Sequence, residues 1–298
     1  MTSEQYLVLV SSFIPFGPQR LGLLLKYFAS PKKVWEASTC ELLNTGLKGK
    51  MVEDFDAYRK RVDATEYFQR LKKLRVSYVT KFSKSYPANL RGLDDAPYTL
   101  YVKGKLLKKD IRAVAVVGTR RITDYGREVA EIFSSGLAKN GVTVVSGLAR
   151  GVDTVAHKTA LRAGGRTIAV LGSGLDYVYP PENVGLVSDI IRSGGAVVSE
   201  FPLGYPVSGV NFITRNRIIS GLSKAVLVVE GEVKSGTLIT ASHAANQGKD
   251  VFAVCGQITS PMSGAPHFLI KNGAKIAFEV DDILPSLDEV ARISDRRK

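Results

Sequence analysis

Residues 114–126 read Val-Ala-Val-Val-Gly-Thr-Arg-Arg-Ile-Thr-Asp-Tyr-Gly. The apolar, β-branched run at 114–117 stops at Gly118, and an amphipathic helical pattern begins near Thr123. This change of pattern is typical of a buried parallel strand that leads through a tight turn into a helix. Ligands of open α/β sheets bind at the carboxyl ends of the strands, and helix N-termini favour anions. The stretch therefore predicts an anion near Arg120 and Arg121, unless both side chains are solvated or pair with carboxylates.

The same alternation of strand and helix continues toward the C-terminus. We predict further strands at 142–145, 167–171, 196–199, 225–229 and 251–254, with 274–278 as a seventh. The intervening helices are expected at about 124–139, 152–163, 183–193, 211–223, 238–247 and 266–272. Strands that alternate with helices imply right-handed crossovers. The predicted fold class is therefore α/β, with a doubly wound, mostly parallel sheet.

The segments before this sheet have a different character. Residues 1–72 show helical periodicity with Gly and Pro turns, which predicts a small helical domain of the SAM or helix-hairpin-helix type. The Gly-x-Gly of a DNA-reading hairpin is missing, so a packing or dimerisation module is favoured. Residues 73–285 form the predicted α/β domain, in which 73–112 is a basic lead-in, and 286–298 is a polar tail. Tyrosines among the lysines of the lead-in could stack on bases, but covering a sheet edge is the favoured interpretation.

Composition narrows the range of partners. The 298 residues include 41 Lys and Arg against 28 Asp and Glu, a formal net charge of +13, with a pI near 9.6. This excess of positive charge makes polyanions candidate binding partners, although an excess of lysine can also serve solubility alone. The two cysteines lie far apart and provide neither a metal spacing nor a disulfide framework. No signal peptide pattern or apolar run of membrane-spanning length is present, so we expect a cytoplasmic protein without a membrane partner.

The later strand ends supply more candidate binding residues. Asn211 can cap a helix on whose surface Phe212 and Arg215, three residues apart, are neighbours. An aromatic ring beside a guanidinium suits a nucleotide, because the ring stacks on a base while the arginine contacts phosphate. The alternative is that Phe212 belongs to the core and the arginines form salt bridges. Five cations are expected along this one edge of the sheet, without a matched catalytic set: Arg120, Arg121, Arg215, Arg217 and Lys234.

Other motifs at these strand ends are weaker. Asp153 is expected to cap a helix, and His157 is expected in the core rather than on a metal. The Gly-x-Gly at 172–174 lacks the third glycine of a dinucleotide fingerprint, and 231–237 does not match a phosphate-binding P-loop. Lys234 and the amides of the following helix could still bind one phosphate. Three carboxylates are interpreted as partners that hold the arginines, rather than as a metal site: Glu200, Glu230 and Glu232.

Taken in order, these motifs resemble the bacterial DNA-processing protein family DprA, also called Smf. The resemblance is dense over about 85–285 and looser before it. It rests on Tyr-Pro at 86–87, Val-Gly-Thr-Arg-Arg at 117–121, Ser-Gly-Leu-Ala-Arg-Gly-Val-Asp at 146–153, Tyr-Pro at 179–180, Phe-x-x-Arg-Asn-Arg at 212–217 and Lys-Ser-Gly-Thr at 234–237.

The resemblance implies an extended Rossmann fold that binds single-stranded DNA in a basic pocket, without a cofactor, metal or chemical step. It also implies a homodimer that loads RecA during natural transformation and acts with single-strand-binding protein. Cys255-Gly256 and residues 264–270 depart from the family pattern, so no contact is assigned there. A C-terminal winged-helix domain, found in some members, is not expected. The implied DNA-binding residues are Gly118, Thr119, Arg120, Arg121, Phe212, Arg215, Arg217 and Lys234.

One alternative function remains at this point. A nucleotide or nucleotide-sugar hydrolase on a related scaffold could use Glu200 or Glu230 with the same arginines. Such enzymes typically carry a Pro-Gly-Gly-x-Gly-Thr phosphate loop, which this chain lacks. A non-catalytic binder of single strands is therefore the leading interpretation.

Overall fold

A nine-stranded sheet runs through the computed structural model, which describes residues 1–288. The predicted polar tail lies outside these residues from position 289 onward. In chain order the strands are β1 (Ser77–Thr80), β2 (Thr99–Gly104), β3 (Ala113–Val117), β4 (Thr143–Ser146), β5 (Thr167–Val170), β6 (Ala196–Ser199), β7 (Ala225–Val228), β8 (Asp250–Val254) and β9 (Lys275–Ala277).

Thirteen α-helices are assigned within the same residues. Seven precede β3: α1 (Ser3–Ser11), α2 (Gly17–Phe28), α3 (Pro31–Glu36), α4 (Thr39–Leu43), α5 (Gly49–Arg61), α6 (Ala64–Lys73) and α7 (Ala88–Arg91). Six follow it: α8 (Asp124–Lys139), α9 (Val152–Arg162), α10 (Val184–Arg192), α11 (Gly209–Leu222), α12 (Gly236–Asn246) and α13 (Gly264–Lys271).

The strand order is β1-β2-β6-β5-β4-β3-β7-β8-β9. From β6 to β9 every neighbouring pair is parallel, whereas β1 pairs antiparallel with β2, and β2 with β6. The chain winds outward from β3 in one direction as far as β6 and then returns to β7 on the other side of β3. This arrangement confirms the predicted doubly wound, mostly parallel, Rossmann-like sheet.

Both faces of the parallel strands are buried, which explains their continuous apolar runs. Along β3, Val114 and Val116 pack with α8 and α9 on one face, while Ala113, Ala115 and Val117 pack with α11 and α12 on the other. Successive side chains of a strand point to opposite faces, so a run of five apolar residues serves two separate core layers. Each crossover helix follows a parallel strand in the chain and so begins at the carboxyl edge of the sheet. The site described below lies at this edge.

The first strand, β1, was not predicted. It lies in the basic lead-in, where Ser77 pairs with Val102 and Thr80 with Thr99. Only four residues long, it lacks a strong alternating pattern and owes its place to pairing with β2. The lead-in tyrosines Tyr86 and Tyr101 are buried in the cores on opposite faces of the sheet. This burial favours the structural interpretation of these two residues over base stacking.

The N-terminal helices have an aromatic core of their own and also contact the sheet. Phe13, Phe16 and Phe55 pack together with ring centroids 4.7–5.2 Å apart. By contrast, Val8 of α1 and Leu71 of α6 join the core formed with β2, β5 and α10. Within residues 1–288 no single helix is long and apolar enough to cross a membrane, although α1 and the segment 14–28, bent by 80°, meet length and composition criteria together.

A buried ion pair lies at the amino edge of the sheet, opposite the carboxyl ends of the strands. Arg166, just before β5, binds the carboxylate of Asp110, which precedes β3. Arg166 also donates to the carbonyls of Lys105 and Gly194, and Asp110 accepts from the Thr143 hydroxyl at 3.1 Å. Both side chains of the pair are about nine-tenths buried. The pair therefore joins the segments that enter β3, β4, β5 and β6.

We expect Arg166→Met to lower the free energy of unfolding by about 3–5 kcal/mol, because it leaves the Asp110 carboxylate buried without its cation. The matched control is Arg192→Met, since Arg192 pairs with Asp189 at the surface with side chains 76% and 53% exposed. That change should cost about 0–1 kcal/mol. Urea unfolding of both variants measures the difference, and equal losses would show that the buried pair has no special role.

Candidate nucleic-acid interface

The turn after β3 lies where the winding of the sheet reverses, between β4 and β7. Open α/β sheets form their ligand crevice at this point. A Cβ atom at Gly118 would lie 2.5 Å from the Val152 side chain and 3.0 Å from the Glu230 carbonyl, so only glycine fits. The Thr119 amide donates to the Glu230 carbonyl at 2.8 Å, and the Val152 amide donates to the Thr119 carbonyl at 3.2 Å. The turn is therefore held from both neighbouring strand ends.

An open pocket of about 510 Å³ occupies this crevice. Its walls come from the β3 turn, the first turns of α11 and α12, and the loop before α12. Lys234 belongs to that loop and is exposed between Glu232 and Ser235, which both line the pocket. Six of the eight predicted DNA-binding residues are among the lining residues: Gly118, Thr119, Arg120, Arg121, Phe212 and Arg215.

Phe212 is only partly buried, and cations lie near its ring. The guanidinium carbon of Arg120 is 5.1 Å from the ring centroid and that of Arg215 is 5.8 Å away. Arg120 is exposed, whereas Arg215 is buried. The ring is thus accessible from the pocket, in agreement with a stacking surface rather than a fully buried core residue.

Arg215 is fixed in place beneath the pocket. Its guanidinium donates to the carbonyls of Gly147 and Val170, and a side chain at Gly147 would collide with it. Burial lowers the pKa of Arg215 to about 10, the nearby Asp153 carboxylate opposes this shift, and Arg120 adds to it. At neutral pH the residue still carries its charge. Arg215 therefore supplies a fixed positive charge beneath the pocket. Some of its N–H groups already donate to carbonyls of the protein.

Asp153 has a different role from the predicted helix cap. The N-cap of α9 is Gly151, and Asp153 is the second residue of the helix. Its carboxylate accepts hydrogen bonds from the amides of Gly147 at 3.1 Å and Ala149 at 3.2 Å, so it folds the preceding loop back onto the helix. Burial raises the pKa of Asp153, whereas the Arg215 charge lowers it.

The structure does not bring Arg217 into the pocket. It is buried and forms an ion pair with Glu200, also buried, beside a separate cavity of about 140 Å³ between the N-terminal helices and α11. One oxygen of Glu200 and one nitrogen of Arg217 have no hydrogen-bond partner there. Burial raises the pKa of Glu200, and the Arg217 charge opposes the shift. Arg217 therefore forms a salt bridge, which is one of the two interpretations that the sequence left open for these arginines.

Of the other two carboxylates, only Glu232 pairs with an arginine. It lies 2.7 Å from Arg121, and both side chains are largely exposed. The prediction was wrong for Glu230, which is buried and accepts from the Thr123 hydroxyl at 2.6 Å and the Thr123 amide at 3.2 Å. Glu230 therefore stabilises the N-terminus of α8 and leaves Arg120 unpaired among the salt bridges of residues 1–288.

His157 lies in the core, as predicted. Its Nδ1 is 2.6 Å from the Thr167 hydroxyl, which itself donates to the Val144 carbonyl at 2.7 Å, so Nδ1 carries the proton. Burial lowers the pKa of His157 to about 3, and the Arg215 charge adds to the effect. The imidazole is therefore neutral. No group of three or more His, Cys, Asp and Glu within residues 1–288 could hold a metal ion.

Sequence reasoning missed a second ring beside Phe212. Tyr179 follows β5, and its ring centroid lies 5.7 Å from that of Phe212 at an interplanar angle of 46°. Arg150, which follows β4, lies 5.9 Å from the Tyr179 ring. The positions of Tyr179 and Arg150 in the sequence could have indicated this contact. Both residues follow parallel strands, so they lie at the same edge of the sheet as Arg120.

Comparisons with known sequences show which protein family the chain matches. The family model for DNA recombination-mediator protein A matches residues 77–288. Protein Smf of Escherichia coli K12 is 48% identical over 205 residues, which are 69% of this chain but only 55% of that protein's length. DNA processing protein DprA of Bacillus subtilis 168 is 38% identical over 276 residues, which cover 90% of this chain and 91% of the relative.

Solved structures extend the similarity to the fold. The X-ray structure of DNA processing protein A from Streptococcus pneumoniae has a TM-score of 0.80 at 33% identity and covers 96% of this chain and 98% of its own. DNA processing protein A from Helicobacter pylori, whose structure addresses its single-stranded DNA binding mode, has a TM-score of 0.62 at 27% identity. It covers 74% of this chain and 97% of its own. The chain belongs to the DNA recombination-mediator protein A family, whose members are also named DprA or Smf.

Proposed function

We propose that the chain binds single-stranded DNA in the pocket at the β3 turn and does not cut it. The observation that carries this proposal is the partly exposed Phe212 ring with the exposed guanidinium of Arg120 5.1 Å away. A ring accessible at the floor of a cationic pocket can stack on an unpaired base, while arginines contact the phosphates on either side. A base within a duplex is already stacked and paired, so it cannot reach the ring.

The cations divide into two groups under this proposal. Arg120, Arg121 and Lys234 are exposed, so they can move to phosphates. The exposed Arg121–Glu232 pair is weak enough to exchange its carboxylate for a phosphate. Arg215 contributes a fixed charge from below, and the first amides of α12 add the anion preference of a helix N-terminus. Arg217 is left out of the DNA contacts, because its charge is matched by Glu200.

The carboxylates argue against the hydrolase alternative. Glu230 accepts two hydrogen bonds from Thr123, and Glu200 lies beside another cavity. Neither is placed to activate a water molecule in the pocket, so the proposed activity is binding without a chemical step.

Family membership supports a wider role. As a member of a DNA recombination-mediator family, the chain would protect incoming single strands in the cytoplasm and load RecA onto them during natural transformation. A homodimer and cooperation with single-strand-binding protein belong to the same proposal, on the strength of the family resemblance. The H. pylori relative, studied for its binding to single-stranded DNA, supports the choice of ligand.

Fluorescence anisotropy with labelled oligo-dT and a matched duplex, at two salt concentrations, tests the binding mode. We expect a preference for the single strand, an affinity that falls steeply as salt rises, and an oligonucleotide that stays intact on a gel. Equal affinity for duplex, no binding at low salt, or cleavage of the probe would contradict the proposal.

Replacing Arg120 by alanine should weaken oligo-dT binding and reduce the slope of log K against log salt by about 0.7 for each lost phosphate contact. The control is Arg162→Ala, because Arg162 is exposed at the C-terminal end of α9, at the opposite edge of the sheet. Salt titrations of both variants give the slopes. An Arg120 variant with the wild-type slope would place the phosphates elsewhere.

Phe212→Ala should cost about 1–3 kcal/mol of binding free energy, the worth of one base–aromatic stack, with little change in the salt slope. Phe212→Trp keeps an aromatic surface and should retain most of the affinity. Melting temperatures of both variants show whether folding is preserved. Wild-type affinity in a folded Phe212→Ala protein would mean that the ring does not stack on DNA.

A further inference from the structure

Beyond the pocket, a second aromatic side chain continues the surface that Phe212 begins. Tyr179 is 37% exposed and lies outside the lining of the pocket, yet its ring centroid is only 5.7 Å from that of Phe212. The rings are tilted by 46° rather than stacked flat on each other. Tyr179 therefore keeps open surface, which buried aromatic partners lack.

A cation lies beside this second ring. The guanidinium carbon of Arg150 lies 5.9 Å from the centroid of Tyr179, and Arg150 pairs with Glu182 through two hydrogen bonds. Both partners of the pair are about half exposed, with side-chain accessibilities of 55% and 50%. Exposed pairs of this kind contribute little free energy, so a phosphate can replace the Glu182 carboxylate at small cost.

The loops at the carboxyl edge of the sheet bring these groups together. Along the carboxyl edge, β7, β3, β4 and β5 are neighbours, and their end loops carry Arg121 with its partner Glu232, then Arg120, then Arg150 and Tyr179. Phe212 projects from α11 between Arg120 and Tyr179. Successive contacts therefore join a cation, two rings and a second cation: Arg120 with Phe212, Phe212 with Tyr179, and Tyr179 with Arg150.

We infer that Tyr179 and Arg150 form a second nucleotide subsite, so that a single strand leaves the pocket over Phe212 and places its next base on Tyr179. Arg150 then holds the phosphate that follows, after release from Glu182. Successive bases on successive rings, flanked by cations that follow the backbone, are the arrangement that sequence-independent single-strand binders use. The inference rests on the proposed function, since it extends the same binding site.

A series of 5′-labelled oligo-dT probes from two to twelve nucleotides separates this subsite from the pocket. Wild-type protein should gain affinity at the length that reaches Tyr179, and Tyr179→Ala should lose that gain, by at least about fivefold, while binding the shortest measurable probes normally. Tyr179→Phe should behave like wild type, because it keeps the ring. The matched control is Tyr177→Ala in the same loop, where Tyr177 is 52% exposed and has no ring or cation partner within residues 1–288.

Glu182→Gln tests the cation independently of the ring. Removal of the competing carboxylate frees Arg150, so affinity for long probes should rise while affinity for the shortest probes stays constant. A 2-aminopurine base moved along the probe should show quenching at two neighbouring positions in the wild type and at one in Tyr179→Ala.

Two results would contradict the second subsite alone, and a third would also contradict the proposed function. If Tyr179→Ala weakens probes of all lengths equally, Tyr179 only supports Phe212, and the second subsite is wrong. If the variant binds long probes as tightly as the wild type, the strand leaves the pocket by another route and the subsite is again wrong. In both cases the pocket itself still binds a single strand. Absence of binding by the wild type at low salt would remove both the subsite and the proposed function.

Discussion

Glu230 holds the turn after β3 at both of its ends. Its backbone carbonyl accepts the Thr119 amide, and its buried carboxylate accepts the amide and the hydroxyl of Thr123. Glycines at 118 and 126 allow the approach, because a side chain at either position would collide with Val152 or with Glu230 itself. A carboxylate that satisfies two donors at the N-terminus of α8 also complements the helix dipole. The three residues between these anchor points, 120–122, therefore have a defined path, and their two arginines are exposed.

The arginines around the pocket illustrate how burial decides the role of a charge. Arg215 and Arg217 are buried; Arg215 donates to two carbonyls, and Arg217 pairs with the Glu200 carboxylate. Arg120 and Arg121 are exposed, and Arg121 has only a surface partner in Glu232. A buried cation without partners would destabilise the fold, whereas an exposed one is free to bind a ligand. Of the buried pair only Arg215 lines the pocket, and the exposed pair is available to an anion.

Patterns of apolar residues along the chain predict the main elements of the fold, but not every strand or side-chain direction. Every predicted parallel strand and crossover helix is present, since continuous apolar runs and 3.6-residue periodicity reflect burial that any α/β sheet requires. The short antiparallel strand β1 was missed, because its pairing with β2 and not its composition defines it. Six of the eight predicted binding residues line one pocket, but Arg217 lies outside it. Helical periodicity predicts that these residues belong to one helix. The direction in which each side chain points depends on the elements that pack against that helix.

The sequence alone is enough to establish the fold class, the family and the position of the β3 turn at the carboxyl edge of the sheet. These depend on local signals: apolar runs, glycines and motifs in a fixed order. Which charges are paired and which are exposed depends on the folded arrangement of the chain. Glu230 binds Thr123 rather than an arginine, Asp153 binds loop amides, and Tyr179 meets Phe212 from a loop more than thirty residues away. The physical reason is that hydrogen bonds and ring contacts form between side chains that folding brings together from distant parts of the chain, and spacing along the sequence does not encode those distances.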